Sequence, residues 1–211
     1  MGRVLWVIAF ASWPFEYLQR IHPNRDVYDQ HLALPPWSDQ RIGELIDARM
    51  ESAGFTADYD SLLNNDALAP NPTPLINDEE AERVADRYHR LVWDYADGNP
   101  RLALHFFRMS LQLIGDKRVE VHLFPMPPMS ALEDFATRTH YVLACLVQHE
   151  NLTAPEAAKS LCFALNECER ALYLLHKRGF LTTCDDQRYR VSSHWNRAVL
   201  RFLQRKKLLV V

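Results

Sequence analysis

The chain has 211 residues, enough for one large or two small domains, and its 48% apolar content is that of a protein that buries real cores. Six glycines against 12 prolines favour helices separated by stiff connectors. The net charge of −3 is unevenly divided: residues 131–211 hold 12 Lys and Arg against 8 Asp and Glu, a balance of +4, which leaves −7 for residues 1–130. A basic tail on an acidic body is a mild nucleic-acid signal and falls short of a strongly basic domain.

The run Val4-Leu5-Trp6-Val7-Ile8-Ala9-Phe10-Ala11 is too short to span a bilayer, and no small-residue cleavage site follows it. Its unbroken apolarity predicts a strand buried on both faces of a parallel sheet. Ser12-Trp13-Pro14 starts a helix that runs to about Arg20. His31–Leu34 reads as a second short strand, stopped by Pro35-Pro36. Ser38 caps a helix through about Ser52, with Ile42, Leu45, Ile46 and Met50 on one face and Gly54 at its end.

Residues 64–77, rich in Asn, Pro and Asp, read as a loop. A long helix from Asn77 or Asp78 to about Ala96 follows, its early Glu79, Glu80 and Glu82 suiting the positive end of the dipole. Gly98 breaks the chain and Pro100 restarts a helix reaching Leu113. Residues 119–124 alternate like a strand. Pro125-Met126-Pro127-Pro128 is the clearest linker. Beyond it come helices over about 130–149, 154–161 (capped by Thr153) and 165–178, a hairpin over 180–192 with a polar turn, and a last helix over about 194–207. Three helices, a two-stranded wing and a closing helix make a winged-helix domain.

Cys145, Cys162, Cys168 and Cys184 show no C-x-x-C spacing. Free thiols in a reducing, cytoplasmic setting are the reading, with no metal site. The nine histidines form no ligand pair, and no Ser-His-Asp or Cys-His arrangement stands out.

In order, the strand at 4–11, the crossing Leu32-Ala33-Leu34-Pro35-Pro36-Trp37-Ser38, the helix with Arg49, Gly98-Asn99-Pro100-Arg101 and the C-terminal helices and wing resemble the back half of an AAA+ ATPase of the origin-recognition or initiator type. The resemblance implies a remnant of the AAA+ core over 1–36, a helical lid over 37–124, a linker over 125–130 and a winged-helix domain over 131–211, mainly α with small β in class. It makes Arg101 the sensor-2 arginine, reporting loss of the β/γ-phosphates to the lid. Arginine suits that task through its permanent charge and bidentate donors. Ser12 stands at the sensor-1 tip, where the family usually has Asn or Thr, and reads equally as an N-cap. Arg20, with Arg25 behind it, is the candidate arginine finger for a neighbouring subunit's nucleotide, or a solvated helix-end arginine.

No G-x-x-x-x-G-K-[ST] occurs, nor an apolar strand ending in two acids ahead of residue 4. The chain alone is therefore expected to bind ATP or ADP only together with a Walker-bearing half, and not to hydrolyse it. Met1-Gly2-Arg3 abutting a strand that belongs mid-sheet points to a fragment of a longer protein. For nucleic acid, Arg170, Lys177 and Arg178 on the third C-terminal helix and Arg188 and Arg190 on the wing are the candidates. Glu167, Glu169 and Asp185-Asp186 oppose phosphate there. Two alternatives stay open: a free-standing winged-helix DNA-binding regulator, and an adaptor whose winged helix docks protein. AAA+ self-association is a further expected contact.

Overall fold

The computed structural model describes residues 4–22, 29–63 and 78–209. Two compact units divide it, one of residues 33–127 and one of residues 1–32 with 128–211. Both are mainly helical with small sheets. The Asn- and Pro-rich stretch at 64–77 and Arg25 lie outside the described residues.

The second of these units begins with residues 4–11, and here the expected buried strand is absent. The segment has no regular secondary structure and pairs with no strand among the described residues, nor does 31–34. A strand of this kind exists only between neighbours that satisfy its backbone and cover both faces. Without them Val4, Leu5, Trp6 and Val7 stand 74–86% exposed. Helix α1 (Ser12–Ile21) follows, with Ala11 at the N-cap and no side-chain cap, so Ser12 is a first-turn residue instead of the cap. Trp13 packs on the apolar core of this unit, and the Tyr17 and His149 rings meet edge-on at 5.2 Å.

The unit of residues 33–127 is built on three longer helices and a small mixed sheet. In α2 (Asp39–Ala53) the Ser38 hydroxyl accepts from the Arg41 N–H at 3.3 Å, and Gly54, at φ 72°, ends the helix. Strand β1 (Thr56–Asp58) and the short α3 (Asp60–Leu63) come next, both unforeseen in the sequence. Helix α4 (Asp78–Ala96) buries Val84, Tyr88, Val92 and Ala96, one residue per turn along a single stripe. Helix α5 (Pro100–Met109) stops four residues earlier than its pattern suggests, because Leu111–Leu113 pairs as β2 with β3 (Arg118–Val121). The sheet order is β1-β3-β2, parallel then antiparallel. Its core is aromatic: Phe106 and Phe124 stack at 4.8 Å, and Tyr95 meets Phe124 edge-on at 5.1 Å. The buried Tyr88 hydroxyl donates to Ser110, whose own hydroxyl donates to the Phe106 carbonyl at 3.1 Å.

After the proline linker, a 3₁₀ turn at Met129–Leu132 precedes α6 (Thr137–His149), so the expected single helix over 130–149 is two pieces. Between them Phe135 turns inward to meet Phe180 at 5.3 Å. Helices α7 (Ala154–Leu161) and α8 (Leu165–Lys177) pack on α6. The hairpin of β4 (Leu181–Thr183) and β5 (Tyr189–Val191) follows, and α9 (Asn196–Arg205) closes the unit. Tyr189 also exchanges backbone hydrogen bonds with Leu152, at 2.8 and 3.0 Å, which ties the hairpin to the α6–α7 connection. This core is aliphatic, centred on Leu143, Leu146, Leu172, Leu175, Val199 and Leu203.

Candidate functional site

Arg101 lies on the first turn of α5. Pro100 presets the helical φ, and the Asn99 side chain accepts from the Arg101 and Leu102 N–H groups at 3.0 and 3.3 Å. Behind the cap, Gly98 sits at φ 66°, and a Cβ there would stand 2.6 Å from Pro36 Cβ and 2.7 Å from the Trp37 carbonyl oxygen. The Trp37 N–H donates to the Gly98 carbonyl at 2.9 Å, and the Trp93 indole donates to the Trp37 carbonyl at 2.8 Å. The two segments singled out in the sequence, Pro35–Ser38 and Gly98–Arg101, thus meet and brace each other. Arg101 is exposed and forms no ion pair with any described residue. Nearby, the Arg41 guanidinium lies 5.7 Å from the Trp37 ring centre.

Ser12 and Arg20 belong to the other unit. Ser12 is exposed at the start of α1, and Arg20 stands in its last turn, 4.0 Å from Glu16 with both side chains nearly half exposed. That pair is weak and leaves the guanidinium accessible.

The five C-terminal cations share a unit but not a role. Arg170 and Lys177 are exposed on α8, and Arg190 is exposed on β5 opposite Thr182. Arg178 lays its guanidinium 4.9 Å from the Phe135 ring centre. Arg188 is engaged: it donates to Glu156 at 2.6 Å and to the Asn151 side chain at 3.0 Å. Glu156 is itself held by the Thr153 N–H and hydroxyl in a capping box, which depresses its pKa chiefly through that backbone hydrogen bond. Glu167, expected to repel phosphate, is paired with Arg138, whereas Glu169 stays exposed. The outward face of α8 also carries Leu165 and Tyr173, 45% and 57% exposed. A cleft of about 580 Å³ lies beside it, lined by residues that include Thr153, Glu169, Cys184 and Tyr189.

One cluster escaped the sequence reading. Between α2 and α4 runs a groove of about 530 Å³, lined by Asp39, Asp47, Arg83, Arg87 and Arg90 with His89 at its base. The Tyr59 hydroxyl is 3.1 Å from His89 Nε2, and Asp47 lies 3.9 Å from the same nitrogen. Gly43 makes room for the ring, since a Cβ there would stand 3.0 Å from His89 Nδ1. Burial lowers the His89 pKa, against an opposing pull from Asp47 and Asp86. Burial raises that of Tyr59, with Asp47 adding to it. The pattern was unreadable in one dimension because Asp47, Tyr59 and His89 lie on α2, the β1–α3 connection and α4; Gly43 within a helix was the available signal.

Among the described residues the cysteines are free; Cys145 is buried, and its thiol is pushed up to about 11. No group of three His, Cys, Asp or Glu there is placed to hold a metal, and no helix is long and apolar enough to cross a membrane. No protein-family model, curated protein or solved structure matches the chain.

Proposed function

We propose that this chain is the nucleotide-sensing lid and winged-helix portion of an AAA+-type switch, in which Arg101 reads the β/γ-phosphates of a nucleotide held on a Walker-bearing polypeptide. One observation carries the reading: an exposed arginine, unpaired among the described residues, on the first turn of a helix whose entry is locked by Gly98 against Pro36 and Trp37. A charge fixed at that point can follow a phosphate that comes and goes, while rearranging little itself. Arg20 is then the candidate finger, Ser12 the candidate contact beside the γ-phosphate, and movement of the lid is passed to the C-terminal helices.

A second reading is favoured by the state of the C-terminal cations. Arg188 is committed to Glu156 and Asn151, and α8 presents Leu165, Glu169 and Tyr173 beside Arg170. That mixture suits a protein partner better than a phosphate backbone.

The test uses the isolated chain and the assembly purified from its own cells. The isolated chain is expected to show no ATP turnover; in the assembly, Arg101→Ala should cut turnover about a hundredfold while sparing assembly. Turnover by the isolated chain, or an assembly of unchanged activity after Arg101→Ala, overturns the proposal. On the same isolated chain, a salt-dependent mobility shift of duplex DNA that weakens in Arg190→Glu would restore DNA over a protein partner.

A further inference from the structure

Two features of the molecule are incomplete, and each supplies what the other lacks. The first is segment 4–10, which has no regular secondary structure. Val4, Leu5, Trp6, Val7 and Ile8 are 57–86% exposed, and no strand among the described residues pairs with them. Its apolar residues alternate to neither side but occupy both, so water meets them whichever way the segment twists. A bare apolar stretch of that size marks an interaction site.

The second is the free edge of β2. The Ile114 N–H donates to the Arg118 carbonyl at 3.1 Å, and the His122 N–H donates to the Ser110 carbonyl at 2.8 Å. The antiparallel alternation therefore places Gln112 and Glu120 in a hydrogen-bonded pair and turns the N–H and C=O groups of Leu111 and Leu113 away from β3. β2 is the outer strand, with nothing paired beyond it among the described residues. Leu113 sits opposite Val119, hence on the same face as buried Val119 and Val121, yet it remains 65% exposed. The apolar face of the sheet runs past the point where its own helices cover it.

We infer that segment 4–10 of one copy adds as a strand to the β2 edge of a second copy, reciprocally, to give a two-fold dimer. The added strand takes up the outward N–H and C=O groups of Leu111 and Leu113. One of its faces lies beside Leu113, and the other is covered by the partner copy. A second copy is the occupant because the chain carries both halves of the contact, and because the area suffices. Covering five such side chains removes on the order of 700 Å² per copy from water, close to the per-partner area of a standard interface. Exchange of identical elements is a low-cost route to a closed dimer.

Sedimentation equilibrium of the purified full chain across the micromolar range is the test. The wild-type chain is expected to reach the mass of two chains. The double variant Trp6→Lys, Ile8→Lys changes only side chains that are already more than half exposed, so it folds, and it should weaken dimerisation at least about a hundredfold. Leu113→Lys, on the receiving edge, should weaken it at least about tenfold. Mixing the two variants restores one of the two insertions, so a 1:1 heterodimer stronger than either homodimer is expected. A wild-type chain that stays monomeric, a dimer indifferent to Leu113→Lys, or variants that fail to complement each other overturns the proposal.

Discussion

The unit of residues 33–127 and the unit of residues 1–32 and 128–211 end a long helix in the same way and leave very different tolerances. After α4, Gly98 takes φ 66°; after α8, Gly179 takes φ 79°. A Cβ at Gly179 would have nothing within 4 Å of it, whereas Gly98 is pressed against Pro36 and Trp37. One turn is a punctuation mark and the other is a joint between distant segments. The cores differ in the same sense. The first unit buries more aromatic rings, with His89, Ser110 and the Tyr88 hydroxyl among them; the second buries mainly leucines and valines, with Phe180, Phe202, Thr139, His140 and Ser192 beside them.

The largest effect follows from the glycines. Gly179→Ala should cost about 1 kcal/mol, the ordinary strain of a left-handed non-glycine residue. Gly98→Ala adds a steric clash with backbone and a proline ring to that strain, so about 3 kcal/mol or more is expected. Denaturant unfolding followed by hydrogen exchange would locate each loss in its own unit. Equal costs at the two sites would erase the distinction between joint and punctuation.

A smaller contrast concerns pH. The folded-state pKa of His89 is lowered by burial below its ordinary 6.5, so the unfolded chain takes up the proton first. The stability it supports is fully present above pH 6.5 and is lost as pH falls through the lowered folded value. Asp47 and Asp86 oppose the shift and soften the loss, and His105, also lowered by burial and by Arg108, adds to it. His149 in the other unit is lowered too, but it is less deeply buried. Exchange protection in residues 33–127 should therefore fall further than that of the other unit between pH 7 and the mildly acidic range. His89→Gln keeps a partner for Tyr59 and removes the titration, and it should flatten the profile. A profile unchanged by that substitution would assign the acid sensitivity elsewhere.

Legibility in the sequence divided along similar lines. Elements with their own start and stop signals were readable: Ser38 to Gly54, Pro100 after Gly98, Thr153 capping α7, and the hairpin around Asp185-Asp186. What failed depends on partners remote along the chain. The apolarity of residues 4–11 specifies burial but cannot say against what, and Leu111–Leu113 continued a helical pattern until β3 claimed it. At the candidate site the Gly98–Arg101 turn was visible, while its contact with Pro36 and Trp37 was not. Arg188 carries the opposite lesson. Its charge was legible as a phosphate contact, but only the fold shows that Glu156 already occupies it.

The smallest effect probes that occupied arginine. Thr153→Ala deletes the hydroxyl that accepts from the Glu156 N–H at 3.4 Å and donates to its carboxylate at 3.0 Å, so α7 loses one half of its capping box. About 1 kcal/mol of stability should go with it, confined to the unit that contains α7. The Thr153 N–H still holds Glu156, and Arg188 still pairs with it, so the helix start loosens without coming undone. Glu156→Gln separates the two contributions. It keeps a side chain able to accept from the Thr153 N–H but removes the charge facing Arg188, which then becomes available to an outside anion. If duplex DNA binding strengthens in Glu156→Gln and stays unchanged in Thr153→Ala, the carboxylate is what withholds Arg188 from phosphate. If neither variant changes DNA binding, the hairpin is not a phosphate-reading surface.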